Sequence, residues 1–253
     1  MALLAAGMPC RRFARRVNFR WQCLCHPLRL TRLLYTRTGS RLFHPDTRRR
    51  SIQFMSDAEG FILAGGASSR MGTDKAQLTL GGRTFLERVA AALGAIAPEI
   101  SVVGARERLA GSGLPVVEDI YRGCGALGGL HAALLACRAP WAAVVSCDLP
   151  FVTGELFTRL CELRTEDAAA IVPRQPDGRP QPLCALYSPA RCLELAARLL
   201  AEGERRPRVL LQQAQTRWVA PAELADLRDA ELFFLNVNTP EDYERAQARM
   251  KVV

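Results

Sequence analysis

Short apolar runs alternate with longer segments of helical periodicity along most of this chain. The apolar runs lie at 61–64, 100–103, 115–117, 141–145, 168–172, 183–187 and 233–237. The segments with helical spacing cover 84–97, 126–136, 154–163 and 189–201, and Thr239-Pro240 opens a further helix. Strands that alternate with helices predict an α/β fold with a mostly parallel sheet and helices on both faces, in a single domain.

The first 54 residues differ from the rest of the chain in charge. They hold 12 Arg and one acidic residue, a net charge of +11, whereas residues 55–253 carry 22 basic and 24 acidic residues, a net charge of −2. The basic character therefore does not indicate a nucleic-acid binder. An Arg-rich segment without an apolar period cannot offset its chain entropy by burial, so we expect a disordered extension at 1–54 and a folded domain at 55–253. An upstream translation start, a functional basic arm and a targeting segment remain open for the extension.

Membrane and disulfide proteins are excluded by composition. No apolar run approaches the roughly 18 residues that a membrane span needs. The nine cysteines include no CxxC pair and are too sparse for a disulfide scaffold. We expect reduced thiols in a cytoplasmic protein, and a monomer.

A glycine-rich segment directly follows the first apolar run. It reads Leu-Ala-Gly-Gly-Ala-Ser-Ser-Arg-Met-Gly-Thr-Asp-Lys at 63–75. Gly65 lets backbone N–H groups approach a phosphate closely, and the cations of Arg70 and Lys75 suit a polyphosphate whose charge shifts during reaction. A tight turn with two solvated cations is the alternative. Lys75 is one of two lysines beside 32 arginines, which favours a chemical role for it.

Polar side chains stand at the ends of other predicted strands. Asp148 follows the run at 141–145 and is a candidate Mg²⁺ ligand, because Mg²⁺ takes one or two carboxylates together with substrate phosphates. Asn236 and Asn238 alternate along the last predicted strand, so we expect both amides on one side. For Asp119 and Asp148 a plain turn role stays open. Ligands of open α/β sheets bind beyond the carboxyl ends of strands, which is where these groups lie.

Together these segments resemble the molybdenum cofactor guanylyltransferase family. The similarity covers about residues 58–250, in order, and residues 1–54 have no counterpart. Its segments are the motif at 63–75, Val-Glu-Asp at 117–119, Gly-Ala-Leu-Gly-Gly-Leu at 125–130, Cys-Asp-Leu-Pro at 147–150, Gln-Pro-Leu at 181–183 with Tyr187, Gly-Glu-Arg-Arg at 203–206 and Asn-Val-Asn-Thr-Pro-Glu at 236–241.

The resemblance implies a Rossmann-like nucleotidyltransferase. It would use Mg²⁺ and GTP to attach GMP to the terminal phosphate of molybdopterin, with release of pyrophosphate. The implied roles, by motif, are guanine and ribose binding by the backbone of Leu63, Ala64 and Gly65, phosphate binding by Lys75, nucleotide binding by Asp119, and Mg²⁺ binding by Asp148 with Asn236 and Asn238 close to the reacting phosphates. One departure bears on guanine selectivity: Gly104 stands where the family often has an Asn that contacts the nucleotide.

Four arginines in later polar loops are candidates for the acceptor phosphate, although solvated surface arginines are an equal alternative. They are Arg174, Arg179, Arg205 and Arg206. Expected protein partners are molybdoenzyme apoproteins and cofactor-handling proteins.

Two other activities remain open. A cytidylyltransferase acting on the same cofactor is the nearest, but those relatives tend to have Leu-Ala-Ala-Gly where this chain has Leu-Ala-Gly-Gly at 63–66. A sugar-1-phosphate nucleotidyltransferase is less favoured, because those enzymes usually carry Gly-Thr-Arg near 69–72. The alternative outside catalysis is a nucleotide-binding module without turnover. Four intact residues argue against it, namely Lys75, Asp148, Asn236 and Asn238.

Overall fold

The computed structural model describes residues 57–64, 78–105, 109, 111–121 and 123–250. The strands are β1 (Ala58–Leu63), β2 (Thr79–Leu80), β3 (Arg83–Thr84), β4 (Ile100–Val103), β5 (Val116–Val117), β6 (Trp141–Ser146), β7 (Ala170–Pro173), β8 (Cys184–Tyr187) and β9 (Thr216–Val219). The helices are α1 (Phe85–Leu93), α2 (Gly125–Ala136), α3 (Gly154–Glu162), α4 (Pro189–Ala201), α5 (Pro207–Gln213) and α6 (Pro240–Met250), with 3₁₀ helices at Pro221–Glu223 and Ala230–Leu232. None of these helices is long and apolar enough to cross a membrane.

Seven strands form one sheet in the order β5-β4-β1-β6-β8-β7-β9, and β2 and β3 form a separate hairpin. β1 pairs in parallel with β4 and β6, β4 with β5, and β7 with β9. β8 runs antiparallel to both of its neighbours. The predicted, mostly parallel sheet is therefore confirmed. Because only β8 is reversed, the carboxyl ends of the other six strands lie at the same edge of the sheet.

The two faces of the sheet each carry a hydrophobic core. Alternation along β6 shows how the sequence divides them, since Ala142 and Val144 face one core and Ala143 and Val145 the other. Helices α1 and α3 cover the second of these faces, and α2, α4 and α5 cover the first. The predicted placement of helices on both faces is confirmed, and the six cysteines within the described residues are free thiols.

A third, smaller apolar cluster lies apart from these two cores. Its buried members come from the hairpin, from α1, from the segment after β6 and from the C-terminal region, and they are Leu80, Phe85, Phe151, Leu232, Val237 and Ala246. Arg88 on α1 ties the same pieces together by hydrogen bonds, because its Nε donates to the carbonyl of Pro150 at 2.9 Å and its Nη1 to that of Leu80 at 3.3 Å.

Most predicted elements are present, with shifted ends. The helix predicted at 84–97 is shorter, because Thr84 caps it in a capping box with Glu87 and it ends at Gly94. The predicted strand at 233–237 is wrong: the chain there follows a 3₁₀ helix as irregular backbone. The β2–β3 hairpin, α5 and β9 were not predicted, since these elements are short or polar and carry little apolar period.

Candidate active site

The ends of β1 and β6 bring two of the predicted segments together. Leu63 pairs with Ser146, and the N–H of Cys147 donates to the carbonyl of Leu63 at 3.1 Å. Ala64 and Asp148 therefore leave the sheet side by side at its carboxyl edge. Residues 65–77 lie outside the described residues, and with them the predictions for Gly65, Arg70 and Lys75.

One backbone hydrogen bond joins the predicted metal ligand to the asparagine pair. The N–H of Val237 donates to the carbonyl of Asp148 at 3.0 Å, and the side chain of Val237 is fully buried. Asn236 is exposed, and Asn238 and Asp148 are half-buried. Strand alternation predicted both amides on one side, but this segment is not a strand. The backbone hydrogen bond of the buried Val237 instead places the segment that carries Asn236 and Asn238 next to Asp148.

The start of α6 fixes the second asparagine. The N–H groups of Asn238 and Thr239 both donate to Oδ2 of Asp242 at 3.0 Å, and Thr239 Oγ1 accepts from the N–H of Asp242 at 3.2 Å. Hydrogen bonding to the backbone of Asn238, the largest cause, lowers the pKa of Asp242. The helix start predicted at Thr239-Pro240 is thus confirmed, and it holds the backbone next to Asp148.

A cavity of about 340 Å³ opens at the same edge, above β1, β4 and β6. Its lining comprises Leu63, Val103, Gly104, Asp119, Gly123, Gly125, Ala126, Gly129, Ser146 and Leu183. Leu63 and Asp119 were predicted to bind nucleotide, and the structure brings them into one cavity. Gly104, the departure from the family pattern, lies in its wall, so a side chain that the family often places there is missing from this pocket.

Asp119 is held in place by its own turn and by α2. Its Oδ1 accepts from the N–H of Tyr121 at 2.9 Å. The carboxylate also lies against Gly128, where a β-carbon would come within 3.1 Å of Oδ2 and 3.0 Å of the Tyr121 carbonyl. Gly128 is therefore needed for the close approach of α2 to this acidic group.

Two residues without a predicted role support this cavity. The buried imidazole of His131 packs edge-on against Tyr121, with ring centroids 5.0 Å apart, and burial lowers its pKa. The buried hydroxyl of Tyr187 donates to the carbonyl of Pro182 at 2.6 Å, next to Leu183 in the lining, and burial raises its pKa well above the usual value. Tyr187 belongs to one of the motif segments, and no role was predicted for His131. A polar side chain inside an apolar segment was the available signal for both.

The four candidate acceptor arginines fall into different surroundings. Arg179 pairs with Asp177 at 2.6 Å, and Arg206 pairs with Glu204 at 2.6 Å, which helps to lower the pKa of Glu204 to about 2. The carbonyl of Arg205 accepts from Leu127 in the first turn of α2. Arg174 lies over the ring of Trp218, with its guanidinium carbon 4.4 Å from the ring centroid. Each of the four arginines therefore has a different environment.

The chain resembles known proteins over most of its length. The family model for the MobA-like NTP transferase domain matches residues 60–218, so the chain belongs to that family. A probable molybdenum cofactor guanylyltransferase of Bacillus cereus (strain AH187) is 37% identical over 199 residues, which are 76% of this chain and 97% of the relative. A counterpart in Bacillus anthracis (strain CDC 684 / NRRL 3495) is 36% identical over the same shares.

Solved structures agree with the fold. Molybdopterin-guanine dinucleotide biosynthesis protein A from Archaeoglobus fulgidus superimposes with a TM-score of 0.66 at 25% identity, covering 77% of this chain and all of that one. The 2-C-methyl-D-erythritol 4-phosphate cytidylyltransferase of Thermus thermophilus, at 23% identity and a TM-score of 0.57, covers 76% of this chain and 98% of its own, and shares the fold.

Proposed function

We propose that this protein transfers GMP from GTP to the terminal phosphate of the molybdopterin cofactor and releases pyrophosphate. The observation that carries the proposal is the backbone hydrogen bond between Val237 and Asp148, which joins the segment that carries Asn236 and Asn238 to that of Asp148 at the carboxyl edge of the sheet. Relatives named molybdenum cofactor guanylyltransferase, matched over nearly their whole length, support the choice of substrates.

The nucleotide base and ribose would occupy the 340 Å³ cavity. The backbone of Leu63, Ala64 and Gly65 would contact them from the end of β1. Asp119 supplies a carboxylate acceptor in the lining, and a purine with N–H donors on one edge suits such a group. The triphosphate would then extend toward Asp148, with Arg70 and Lys75 as its cations.

The residues at the reacting end fit Mg²⁺. The described residues contain no group of three or more His, Cys, Asp or Glu that could enclose a metal. A single half-buried carboxylate with two amides nearby instead suits an ion that completes its octahedral shell with substrate phosphates and water. Asp148 would hold this ion, with Asn236 and Asn238 beside the phosphates. When bound, Mg²⁺ would neutralise charge on the phosphates of GTP.

The chain's own task is to position and neutralise. An oxygen of the acceptor phosphate forms a bond to the α-phosphorus of GTP as the bond to the bridging oxygen breaks, and pyrophosphate departs. The attacking oxygen is already an anion, so no side chain has to remove a proton. Lys75 and Arg70 would stabilise the charge that moves onto the leaving group. His131, buried against Tyr121, has no part in proton transfer in this scheme.

Turnover with different nucleotides tests the proposal. The protein is given molybdopterin, Mg²⁺ and GTP, CTP or ATP, and dinucleotide and pyrophosphate are both measured. We expect product with GTP, and much less with CTP. A preference for CTP would reassign the enzyme to the cytidylyl activity, for which the glycine at position 104 gives a reason. Nucleotide binding without product would instead identify a binding module.

We further propose a monomeric cytoplasmic enzyme that passes its product to molybdoenzyme apoproteins or cofactor-handling proteins. The near-neutral charge of residues 55–253 supports a protein without a nucleic-acid partner. Sedimentation of the purified protein with and without GTP tests the oligomeric state.

A further inference from the structure

A second cavity opens at the carboxyl edge of the sheet, beyond the ends of β7 and β9. It has a volume of about 450 Å³. The sequence predicted a role for one of its lining residues, Arg174, but not for the cavity itself. Its lining comprises Arg174, Gln175, Pro176, Pro221, Leu224, Ala225, Ala230, Glu231, Phe234 and Leu235. The 340 Å³ cavity proposed for the nucleotide base, the base cavity, lies above β1, β4 and β6. The strand order therefore places the two cavities over different halves of the sheet.

Asp148 lies between these two cavities. It follows β6, and β8 separates β6 from β7 and β9 in the sheet. Leu235 in the second cavity is two residues from Val237, whose N–H is bonded to the carbonyl of Asp148. Two residues of chain span about 7 Å, so the cavity adjoins the proposed reaction centre. A transfer between two substrates needs such a second compartment on the far side of the reacting phosphate.

The lining of the second cavity suits a flat heterocycle. Phe234, Pro176 and Pro221 offer apolar surfaces against which a planar ring packs. Glu231 adds an exposed carboxylate that accepts hydrogen bonds from adjacent ring and amino N–H groups. Of the four candidate acceptor arginines, Arg174 is the one that lines this cavity, and the Trp218 ring beneath it orients its fork of donors.

We infer that this cavity binds the pterin ring system of the acceptor, with the phosphate of that acceptor directed toward Asn236 and Asp148. The inference rests on the proposed function, because it names where that reaction's second substrate lies. Glu231 pairs with the N–H donors of the pyrimidinone edge of the pterin. Phe234 contacts the ring face, and Arg174 donates to its oxygen or to the side-chain phosphate.

Steady-state transfer by Glu231→Gln and Phe234→Ala tests the site. We expect each variant to raise the KM for molybdopterin about tenfold and to leave the KM for GTP within about twofold. The matched controls are Glu244→Gln on α6 and Leu135→Ala on α2, two exposed residues outside both cavities. They are expected to change neither constant. Glu231 is exposed, so its variant remains informative even if Phe234→Ala unfolds.

Inhibition by a simple pterin distinguishes the two cavities. Guanine and pterin share the same hydrogen-bonding edge, so 6-hydroxymethylpterin is tested against each substrate in turn. We expect it to compete with molybdopterin and not with GTP, and to lose about tenfold in potency with Glu231→Gln. Competition with GTP, or an unchanged KM for molybdopterin in both variants, would overturn the inference. If wild-type protein binds the pterin in a Glu231-dependent way but makes no dinucleotide, the proposed function fails and the pterin site stands.

Discussion

The base cavity and the reaction edge are built from different kinds of structure. The walls of the base cavity are strand ends and the first turns of α2, which rest on the large core of one sheet face. The reaction edge consists of irregular chain after β6 and before α6, which rests on the small third cluster and on the hydrogen bonds of Arg88. Regular packing of strands and a helix thus shapes the base cavity, whereas a small apolar cluster and a few hydrogen bonds hold the reaction edge.

This difference has a consequence for substitutions. Under the proposed function, a change in the regular region is expected to alter the fit of the nucleotide and therefore the KM for GTP. A change at the reaction edge is expected to move or remove groups beside the phosphates and therefore to lower kcat. Substitutions in the two regions should therefore be distinguishable by their kinetics.

Asp148→Asn is expected to have the largest effect. A neutral amide cannot replace a carboxylate on a hard dication, so kcat should fall about a thousandfold or more, while GTP still fills the base cavity. Steady-state rates over a range of Mg²⁺ concentrations, with the melting temperature as a check on folding, measure this. A wild-type rate at saturating Mg²⁺ would show that Asp148 is not a ligand of the metal ion.

Lys75→Arg tests the loop outside the described residues. Lysine brings a compact charge on a flexible stem, whereas arginine brings a wide planar fork, so the substitution keeps charge and alters shape. We expect a loss of about 2–4 kcal/mol of transition-state stabilisation, roughly a hundredfold or more in rate. Lys251→Arg is the matched control and should be silent. Equal activity of both variants would leave Lys75 without a phosphate role.

Arg88→Met tests whether the hydrogen bonds of Arg88 position the reaction edge. Arg88 is half-buried, burial lowers its pKa, and it joins the carbonyls of Pro150 and Leu80. Without it the Asp148 segment loses a fixed distance from the hairpin, and we expect kcat to fall about tenfold with the KM for GTP unchanged. Arg159→Met on α3, which breaks the ion pair between Arg159 and Asp226, is the comparison. A loss of stability in both variants with the same kcat would refute a positioning role.

The sequence predicted the regular region better than the irregular one. The apolar periods of β1, β6 and α4 reflect burial on one or both faces, and burial decides their structure. Residues 233–237 are as apolar as a strand, but Phe233 and Phe234 pack into the core under α1 and α3 while Leu235 and Val237 pack into the third cluster. Within the described residues this segment pairs with no strand. Nothing local distinguishes these two outcomes, because tertiary contacts far along the chain select between them.

The candidate site could be proposed from the sequence only in part. Asp148 is a candidate because strand-end positions carry ligands in open sheets, and Asp119 is one through the family resemblance. Phe234 and Glu231 could not be proposed, because the second cavity forms only when two 3₁₀ segments fold against β7 and β9. The four arginines could be listed from the sequence. Only the structure shows that Asp177 and Glu204 already pair with two of them.

Gly128→Ala tests the regular region at the contact between α2 and Asp119. The new methyl group would meet Asp119 Oδ2 at 3.1 Å and the Tyr121 carbonyl at 3.0 Å, so the acidic turn has to move by a few tenths of an ångström. One weakened hydrogen bond to a charged group costs about 1.5 kcal/mol, which raises the KM for GTP about tenfold with kcat unchanged. Gly94→Ala, whose methyl group has ordinary contacts of 3.5 Å, is the control. A lower kcat at unchanged KM would contradict the division between the two regions.

The smallest effect concerns pH and His131. Burial lowers the pKa of this imidazole, and the nearby charge of Asp119 opposes that shift only in part. The Nδ1 atom is buried, and no hydrogen-bond partner for it lies within the described residues. In the unfolded chain the imidazole takes up a proton near pH 6.5, whereas the folded protein resists it, so below that pH the unfolded state binds more protons. The contribution of His131 to stability is therefore fully present above pH 6.5 and is lost as the pH falls toward the lowered pKa of the folded state.

His131→Leu removes this pH-dependent contribution. The melting temperature of the variant should therefore fall less than that of the wild type between pH 7.5 and pH 5, while both proteins keep a side chain that packs against Tyr121. The difference is limited to about 1.4 kcal/mol for each unit of pKa depression. If the melting temperatures of the two proteins changed equally with pH, the imidazole would be protonated as easily in the folded protein as in the unfolded chain. The wall behind Asp119 would then be open to water.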